Sequence, residues 1–360
     1  MQTLGGEKGS LLYMLWRLCY SNITSQCIGF TEKEGSVFMA SIKDVAKKAN
    51  VGIATVSRVI NNSGFVSKET REIVFQAIEA LGYTPNEVAR SFQKKQTNMI
   101  GLIIPSIMQS FTNELTYSLE KELYNLGYHT LLCISNYDGI KELEYLGKLK
   151  SQQVAGVIIT APFMTSTDSY QYQNLPIVSV DRYLNKMIPC VHTDNQTASS
   201  LITEKLLARS VKKVAYIGFG ADQDSLAQKR VDGFQEACIR QNRPYQILNT
   251  YFEEPLSAYL KRVFDMTQDC DGYFFGCDYY AHKFISLMHM KHKAVGTDYY
   301  LVSFDGLSTN KDYPYTLTCV KQSFEKLSQA VVQTLMKRIN NTEVASDILV
   351  EYELIEGDTC

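Results

Sequence analysis

The chain has 360 residues, of which 45% are apolar, so two or three domains with large cores are expected and a disordered chain is excluded. Its net charge of −2 excludes no partner, but the charge is unevenly distributed. Residues 39–97 carry nine basic and five acidic side chains, whereas residues 98–360 carry 24 and 30. A small basic region ahead of an acidic body is typical of a regulator that binds nucleic acid at one end.

The first 38 residues do not share the pattern of the rest. Their apolar run over 11–16 is too short to span a membrane, and no good signal-peptide cleavage site follows it. Lys33-Glu34-Gly35 is what a purine-rich ribosome-binding sequence encodes when it is translated, and it lies just ahead of Met39. We therefore expect residues 1–38 to be a non-native or disordered extension, with Met39 as the natural start.

Residues 42–61 predict two short helices joined by a tight turn at Asn50-Val51-Gly52. The first helix has an apolar face at helical spacing, and the second places Val56, Val59 and Ile60 on one face. The remaining positions of the second helix offer hydroxyls, an amide and a guanidinium, which suit phosphates and base edges. The predicted DNA contacts of this helix-turn-helix are Ile53, Ala54, Thr55, Ser57, Arg58 and Asn61.

A third helix is predicted from Ser67, a good N-cap, to Leu81. A short helix over 86–92 and a polar linker over 93–98 follow it.

These segments resemble the lactose-repressor (LacI/GalR) family of bacterial transcription factors. The matching motifs are Asp44-Val45-Ala46, Val51, Thr55-Val56-Ser57-Arg58-Val59-Ile60-Asn61, Val66-Ser67-Lys68-Glu69-Thr70-Arg71, Leu81-Gly82-Tyr83-Thr84-Pro85-Asn86 and Ala89. The resemblance implies an all-α DNA-binding head over residues 39–97. Within it, residues 86–92 form a hinge helix that folds when a dimer meets its operator, with contacts from Asn86, Ala89 and Phe92.

Three positions depart from the family pattern or leave alternatives open. Phe92 stands where the family inserts a Leu into the minor groove, and an aromatic wedge is competent for this role. The alternative is that Phe92 packs against its dimer mate or its own body. Ile53 and Ala54 replace a polar pair, so we expect readout there through apolar contacts such as thymine methyl groups.

From Met99 onward, predicted strands alternate with helices. The strands are expected at 99–104, 129–134, 154–160, 176–180, 213–218, 272–275 and 299–304, and the helices at 114–126, 140–150, 195–208, 226–241, 256–266 and 279–289. This α/β alternation predicts two parallel sheets side by side, with a ligand cleft at the carboxyl ends of the strands.

The resemblance implies that this part is a two-lobed periplasmic-binding-protein-like core for effector binding and dimerisation, over residues 98–358. The first lobe is expected to comprise about 98–194 and 322–340, and the second about 195–321 and 345–358. The chain is expected to cross back near Gln322, with a helix over 324–339 in the first lobe and a strand over 348–355 in the second.

Asp181, Asp278 and Asp305 each follow an apolar strand, and carboxylates grouped at one cleft suit a ligand with several hydroxyls. Position by position, the resemblance implies an effector set of Phe111, Asp181, Arg230, Cys277 and Asp305, with Asp278 beside it. Phe111 is expected in the loop after the first strand, and Arg230 belongs to an Arg-x-x-Gly-aromatic element. Asp278 is alternatively a helix cap.

No catalytic set or Gly-rich phosphate loop is found, so we expect no enzyme and no cofactor. The nine cysteines are scattered without Cys-x-x-Cys spacing, and His289 and His292 have no nearby acidic or thiol partner in sequence. We therefore expect reduced thiols in a cytoplasmic protein, without a disulfide framework or a metal site.

The sequence thus predicts a homodimeric repressor of a carbohydrate-utilisation operon, bound to a near-palindromic double-stranded operator and controlled by a small sugar or sugar phosphate. Asp181-Arg182 and Lys321-Gln322 are among the segments most similar to the sucrose-operon repressors of Gram-positive bacteria. The alternatives are control by a phosphoprotein corepressor or a purine, and a solute-binding protein of a transport system.

Overall fold

The computed structural model describes residues 40–83, 97–160, 175–219, 226–250, 255–307 and 313–360. Contacts divide the chain into two compact units, Met1–Asn86 and Glu87–Cys360. The predicted extension over 1–38 and the predicted hinge contacts Asn86, Ala89 and Phe92 lie outside the described residues. Within the described ranges, no helix is long and apolar enough to cross a bilayer.

The first unit contains three helices in its described part: α1 (Ile42–Lys48), α2 (Ile53–Ile60) and α3 (Lys68–Leu81). The predicted helix-turn-helix and the N-cap at Ser67 are confirmed; the Ser67 hydroxyl accepts a hydrogen bond from the Thr70 backbone N–H at 3.2 Å. Val45, Val56 and Val74 are fully buried where the three helices meet. This small core fixes α2 and leaves its other face exposed.

In chain order, the second unit contains β1 (Met99–Ile104), α4 (Ser110–Asn125), β2 (His129–Ile134), α5 (Gly139–Ser151), β3 (Gly156–Thr160), β4 (Ile177–Val180), β5 (Cys190–Thr193), α6 (Asn195–Leu207), β6 (Val214–Phe219), α7 (Leu226–Arg240), β7 (Tyr245–Thr250), α8 (Leu256–Met266), β8 (Gly272–Phe275), α9 (Asp278–Met290), β9 (Tyr300–Asp305), β10 (Thr318–Gln322), α10 (Phe324–Ile339), β11 (Asp347–Val350) and β12 (Tyr352–Ile355).

Two six-stranded sheets form the two lobes of this unit. The first has the order β11-β5-β4-β3-β1-β2, and the second β12-β10-β9-β8-β6-β7. All described pairs are parallel except β10–β12, which is antiparallel. Buried apolar strands such as β3 are covered by helices on both faces, as a parallel sheet requires.

The chain crosses between the lobes at three points. It passes from β5 to α6, returns from β10 to α10, and passes again from β11 to β12. The predicted return near Gln322 and the helix over 324–339 are confirmed. Residues next to the crossovers therefore lie where the two lobes meet.

Two predictions about elements were wrong in detail, and three strands were missed. The strand expected over 348–355 is two strands: β11 pairs with β5 in the first lobe and only β12 lies in the second. Both segments are short and half-buried, so their side-chain pattern does not identify which sheet they join. The helix expected from Glu114 begins at Ser110, which puts Phe111 in its first turn rather than in a loop. Strands β5, β7 and β10 were not predicted.

Candidate functional site

The α2 face that points away from the head core is polar and basic. Arg58 and Asn61 are exposed, Thr55 and Ser57 are half-buried, and the Asn61 amide donates to the Ser57 hydroxyl at 3.2 Å. Ile53 is 46% exposed beside Ala54 at the start of the helix. All six predicted contact residues of α2 and its C-cap are thus at least partly accessible.

The loop after α2 also shapes this surface. Gly64 has a φ of 69°, which favours glycine, and an added Cβ there would lie 3.6 Å from Cδ of Arg58. The loop is fixed by a hydrogen bond from the Arg71 guanidinium to the Asn62 side-chain oxygen at 2.9 Å. Gly52, the N-cap of α2, makes no side-chain capping bond.

The second candidate site is the cleft between the lobes, and Arg230 is its centre. This arginine of α7 is 8% exposed. Its guanidinium donates to the Asn195 side chain at 2.6 Å and to the Gly276 carbonyl at 2.8 Å. It also lies 3.9 Å from the ring centroid of Phe304. The contact with the Phe304 ring and the hydrogen bonds together hold the guanidinium in one orientation.

Two carboxylates from different lobes flank this guanidinium. Asp181 follows β4 of the first lobe and lies 3.3 Å from Arg230, while Asp305 ends β9 of the second lobe and lies 3.5 Å away. Both aspartates have positive φ angles, 53° and 108°, which are uncommon for non-glycine residues. Strained backbone at two converging carboxylates is typical of a binding site.

Burial raises the pKa of Asp305 to about 7, although the charge of Arg230 acts in the opposite direction. The carboxylate is 3% exposed and accepts a further hydrogen bond from the Gln322 amide at 3.1 Å. A buried carboxylate without full compensation gains more from ligand hydroxyls than an exposed one does. Asp305 is therefore well placed to bind a polar ligand.

The crossover segments contribute side chains that the sequence did not identify. Asn195 donates to Asp181 at 3.3 Å and accepts from Arg230, so it links the two charged groups. The Thr193 hydroxyl donates to Gln322 at 2.8 Å, which joins two of the crossovers. A polar residue at the end of a strand was the only signal in the sequence. It could not show that Thr193 and Gln322 meet, because they are 129 positions apart.

The other predicted effector residues have different surroundings. Phe111 is half-buried and its ring centroid lies 5.4 Å from that of Phe324, at the start of α10. Cys277 occupies the N-cap position of α9, two residues after β8, without a side-chain capping bond, and burial raises its thiol pKa well above the usual value. Asp278 is fully buried; it accepts from the Ser303 hydroxyl at 2.5 Å and from the Leu307 backbone N–H at 2.9 Å. Both bonds tie Asp278 to β9 and the residues after it, a structural role that differs from the expected helix cap, since the N-cap residue of α9 is Cys277.

The Arg-x-x-Gly-aromatic element has a separate role for each residue. Arg230 faces the cleft, and Phe234 is fully buried in the core of the second lobe. A Cβ at Gly233 would overlap the carbonyl oxygen of Gln196, so this glycine allows α7 and α6 to pack at close range. The element therefore positions Arg230 through helix packing.

Known protein families match both units of the chain. Residues 41–86 match the bacterial regulatory proteins of the lacI family. Residues 97–250 match the periplasmic binding proteins and sugar binding domain of the LacI family, and residues 203–360 match a periplasmic binding protein-like domain.

Similar proteins and structures agree with these matches. The ribose operon repressor of Halalkalibacterium halodurans is 36% identical over 84% of this chain and 91% of its own length. The sucrose operon repressor of Pediococcus pentosaceus is 35% identical over 88% and 98%. The fold is similar to the lac repressor dimer bound to operator and an anti-inducer, with a TM-score of 0.77 and 23% identity over 89% of this chain and 99% of the other. The chain therefore belongs to the LacI family of bacterial regulatory proteins.

Proposed function

We propose that this protein is a homodimeric repressor of a carbohydrate-utilisation operon and that a neutral sugar in the cleft controls its affinity for operator DNA. The observation that carries the proposal is the Arg230 guanidinium, held between Asp181 of one lobe and Asp305 of the other. Charged donors and acceptors on both sides of a cleft suit a ligand that carries several hydroxyls. The relatives named as ribose and sucrose operon repressors support the same ligand class.

The charges favour a neutral sugar over a sugar phosphate. Around the cleft centre, the described residues place two carboxylates beside one guanidinium. The nearby Arg182 is engaged by Glu142 at 3.0 Å. A phosphate would add negative charge to a buried site in which Asp181 already offsets the charge of Arg230, which costs free energy.

For the DNA-binding unit, we propose that Ile53, Ala54, Thr55, Ser57, Arg58 and Asn61 contact the operator. One short helix contacts too few base pairs for specific binding, so two copies on a near-palindromic site are required. The predicted hinge contacts Asn86, Ala89 and Phe92 complete this proposal.

The test is selection of DNA from a random pool, followed by titration of the selected site at physiological salt. We expect a near-palindrome bound by a dimer, and a sugar from a panel of monosaccharides and disaccharides that changes the affinity. Binding as a monomer to a non-palindromic site would refute the DNA part. Unchanged affinity with every sugar would refute the ligand part.

A further inference from the structure

His192 is a buried histidine that lies outside the two sites described above. It is 5% exposed and belongs to β5, one residue before the end of the strand and the crossover into α6. Its side chain contacts Asp347 of β11, the strand that leads into the third crossover. A buried ring needs partners for both of its nitrogens, and those partners determine which nitrogens carry a proton.

Both ring nitrogens of His192 face acceptors. Nδ1 lies 2.8 Å from the backbone carbonyl oxygen of Thr193, and Nε2 lies 2.6 Å from a carboxylate oxygen of Asp347, whose side chain is 52% exposed. A carbonyl or an ionised carboxylate can only accept, so each of these short contacts requires an N–H on the ring. The neutral imidazole has one N–H and would direct a lone pair at one of the two oxygens. The geometry is therefore that of the doubly protonated, positively charged ring.

Tyr183 gives the contact a second possible arrangement. Its hydroxyl lies 3.1 Å from the same Asp347 oxygen and 3.0 Å from Nε2 of His192. Burial and the Asp347 carboxylate raise the pKa of Tyr183, so the hydroxyl remains a donor. Beside a charged ring, it donates to Asp347. Beside a neutral ring it can donate to Nε2 instead, and Asp347 then loses both donors.

The other ionisable groups around the ring are neutral, paired elsewhere or exposed. Burial raises the pKa of Cys190, on the same strand, to about 12, so this thiol is neutral. Strand β4 has no ionisable side chain. In the loop after it, Asp181 and Arg182 are paired with an arginine of α7 and a glutamate of α5, and Lys186 is exposed. A change of charge at this joint near neutral pH therefore belongs to the histidine.

The ring is linked to the effector site through one residue. The Thr193 carbonyl that accepts from the ring also accepts from the Asn195 amide at 2.9 Å. The Thr193 hydroxyl donates to Gln322 at 2.8 Å, and Gln322 donates to Asp305 at 3.1 Å. Because β5, β10 and β11 each lead into a crossover, these bonds and the contact with Asp347 join all three.

We infer that His192 is a positively charged positioning residue and that its protonation makes the joint between the lobes sensitive to pH. The charged ring ties Asp347 to Thr193 and so fixes the ends of β5 and β11, from which the chain crosses to the second lobe. Loss of a ring proton breaks the contact with Asp347, so the joint loosens as the pH rises. The inference goes beyond the proposed function and needs no ligand for its test.

The first experiment is a ¹⁵N spectrum of the ring nitrogens in the full-length protein labelled at its five histidines. His192→Gln identifies the signals of this ring by removing them. At about pH 7, where an exposed histidine is mostly neutral, we expect both nitrogens of His192 to be protonated. Asp347→Asn removes the negative charge at nearly the same size and should leave the ring with one proton at that pH. A singly protonated ring in wild type, or two protons in Asp347→Asn, would overturn the inference.

The second experiment is urea unfolding of wild type and His192→Gln between about pH 5 and pH 8. The folded state favours the charged ring, so its contribution to stability is present at low pH and is lost as the pH rises. We expect the folding equilibrium constant of wild type, relative to the variant, to fall at least about tenfold across this range. If His192→Gln does not fold, Asp347→Asn, at an exposed position, provides the same comparison.

His129→Gln, which changes an exposed histidine at the start of β2, is the matched control and should show no such fall. A purely structural role of the His192 ring would lower stability equally at every pH. A constant difference across the range, or an equal fall in His129→Gln, would therefore refute the pH-sensitive joint.

Discussion

Replacing Asp305 with asparagine should weaken ligand binding and, separately, change how the stability of the fold depends on pH. The amide has the size of the carboxylate and keeps an acceptor for the Gln322 and Arg230 donors, which lie 3.1 and 3.5 Å away. Hydrogen bonds to a charged group contribute about 1.5–3 kcal/mol, and bonds between neutral groups about 0.5–1.5 kcal/mol. Two ligand hydroxyls bound to Asp305 would therefore lose about 2–3 kcal/mol in total, which weakens sugar binding about 30- to 150-fold.

The same substitution should also remove the pH-dependent contribution of Asp305 to the stability of the folded protein. Because burial raises the pKa of Asp305 to about 7, from an ordinary value of 3.8, the protonated carboxyl favours the folded state. That contribution is complete below about pH 4 and is lost as the pH rises through about 7. The amide introduced by the substitution cannot ionise, so the stability of Asp305→Asn relative to wild type should rise by on the order of 2–4 kcal/mol between about pH 4 and pH 8.

The assay is urea unfolding of both proteins across this pH range, with sugar titration of each at neutral pH. Asp265→Asn, an exposed aspartate on α8, is the matched control and should change neither quantity. Other titrating groups cancel in the difference between wild type and variant. Parallel stability curves would refute the burial argument, and an unchanged sugar affinity would remove Asp305 from the ligand site.

Three further predictions concern the DNA-binding head, the close packing of α6 and α7, and a hydrogen bond between two crossovers. Arg58→Ala should lose discrimination at one base pair per half-site, at about 1–3 kcal/mol, and an even loss over all DNA sequences would show a phosphate contact only. Gly233→Ala should lower the free energy of unfolding by about 1–3 kcal/mol because its Cβ overlaps α6. Gly147→Ala changes a helical glycine with open space around it, so it should raise the free energy of unfolding by about 0.5–1 kcal/mol. If urea unfolding showed Gly233→Ala to be more stable than Gly147→Ala, both predictions would be contradicted. Thr193→Val should remove the hydrogen bond to the buried Gln322 oxygen, which should lower the free energy of unfolding in urea by about 1–3 kcal/mol. It should also weaken the effect of the sugar on operator binding, and an unaltered effect would exclude this crossover from signalling.

The head was predicted well because its signals are local. The apolar spacing around Val56 and Val59, the cap at Ser67 and the Gly at 82 each act within one helix turn. Gly82 indeed ends α3 with a φ of 57°. The alternation of strands and helices likewise identified two parallel sheets, since a buried strand is recognised from a run of only a few apolar residues.

The errors arose where distant segments decide the structure. Asp347–Val350 joins β5 of the first lobe because the preceding helix α10 lies there, and no pattern within the segment indicates this. Asn195 and Gln322 reach the cleft only because the crossovers converge.

Under the proposed function, the composition of the cleft would let a bound sugar change the balance between lobe arrangements. Asp181 belongs to the first lobe, whereas Arg230 and Asp305 belong to the second, and Arg230 already contacts both. A ligand that inserts hydroxyls between these groups must replace contacts between the lobes, so its free energy of binding differs between open and closed clefts. Such differential affinity is the only means by which a ligand shifts an equilibrium. A coupling of about 1–3 kcal/mol, which one or two charge-assisted bonds supply, changes operator affinity about 5- to 150-fold.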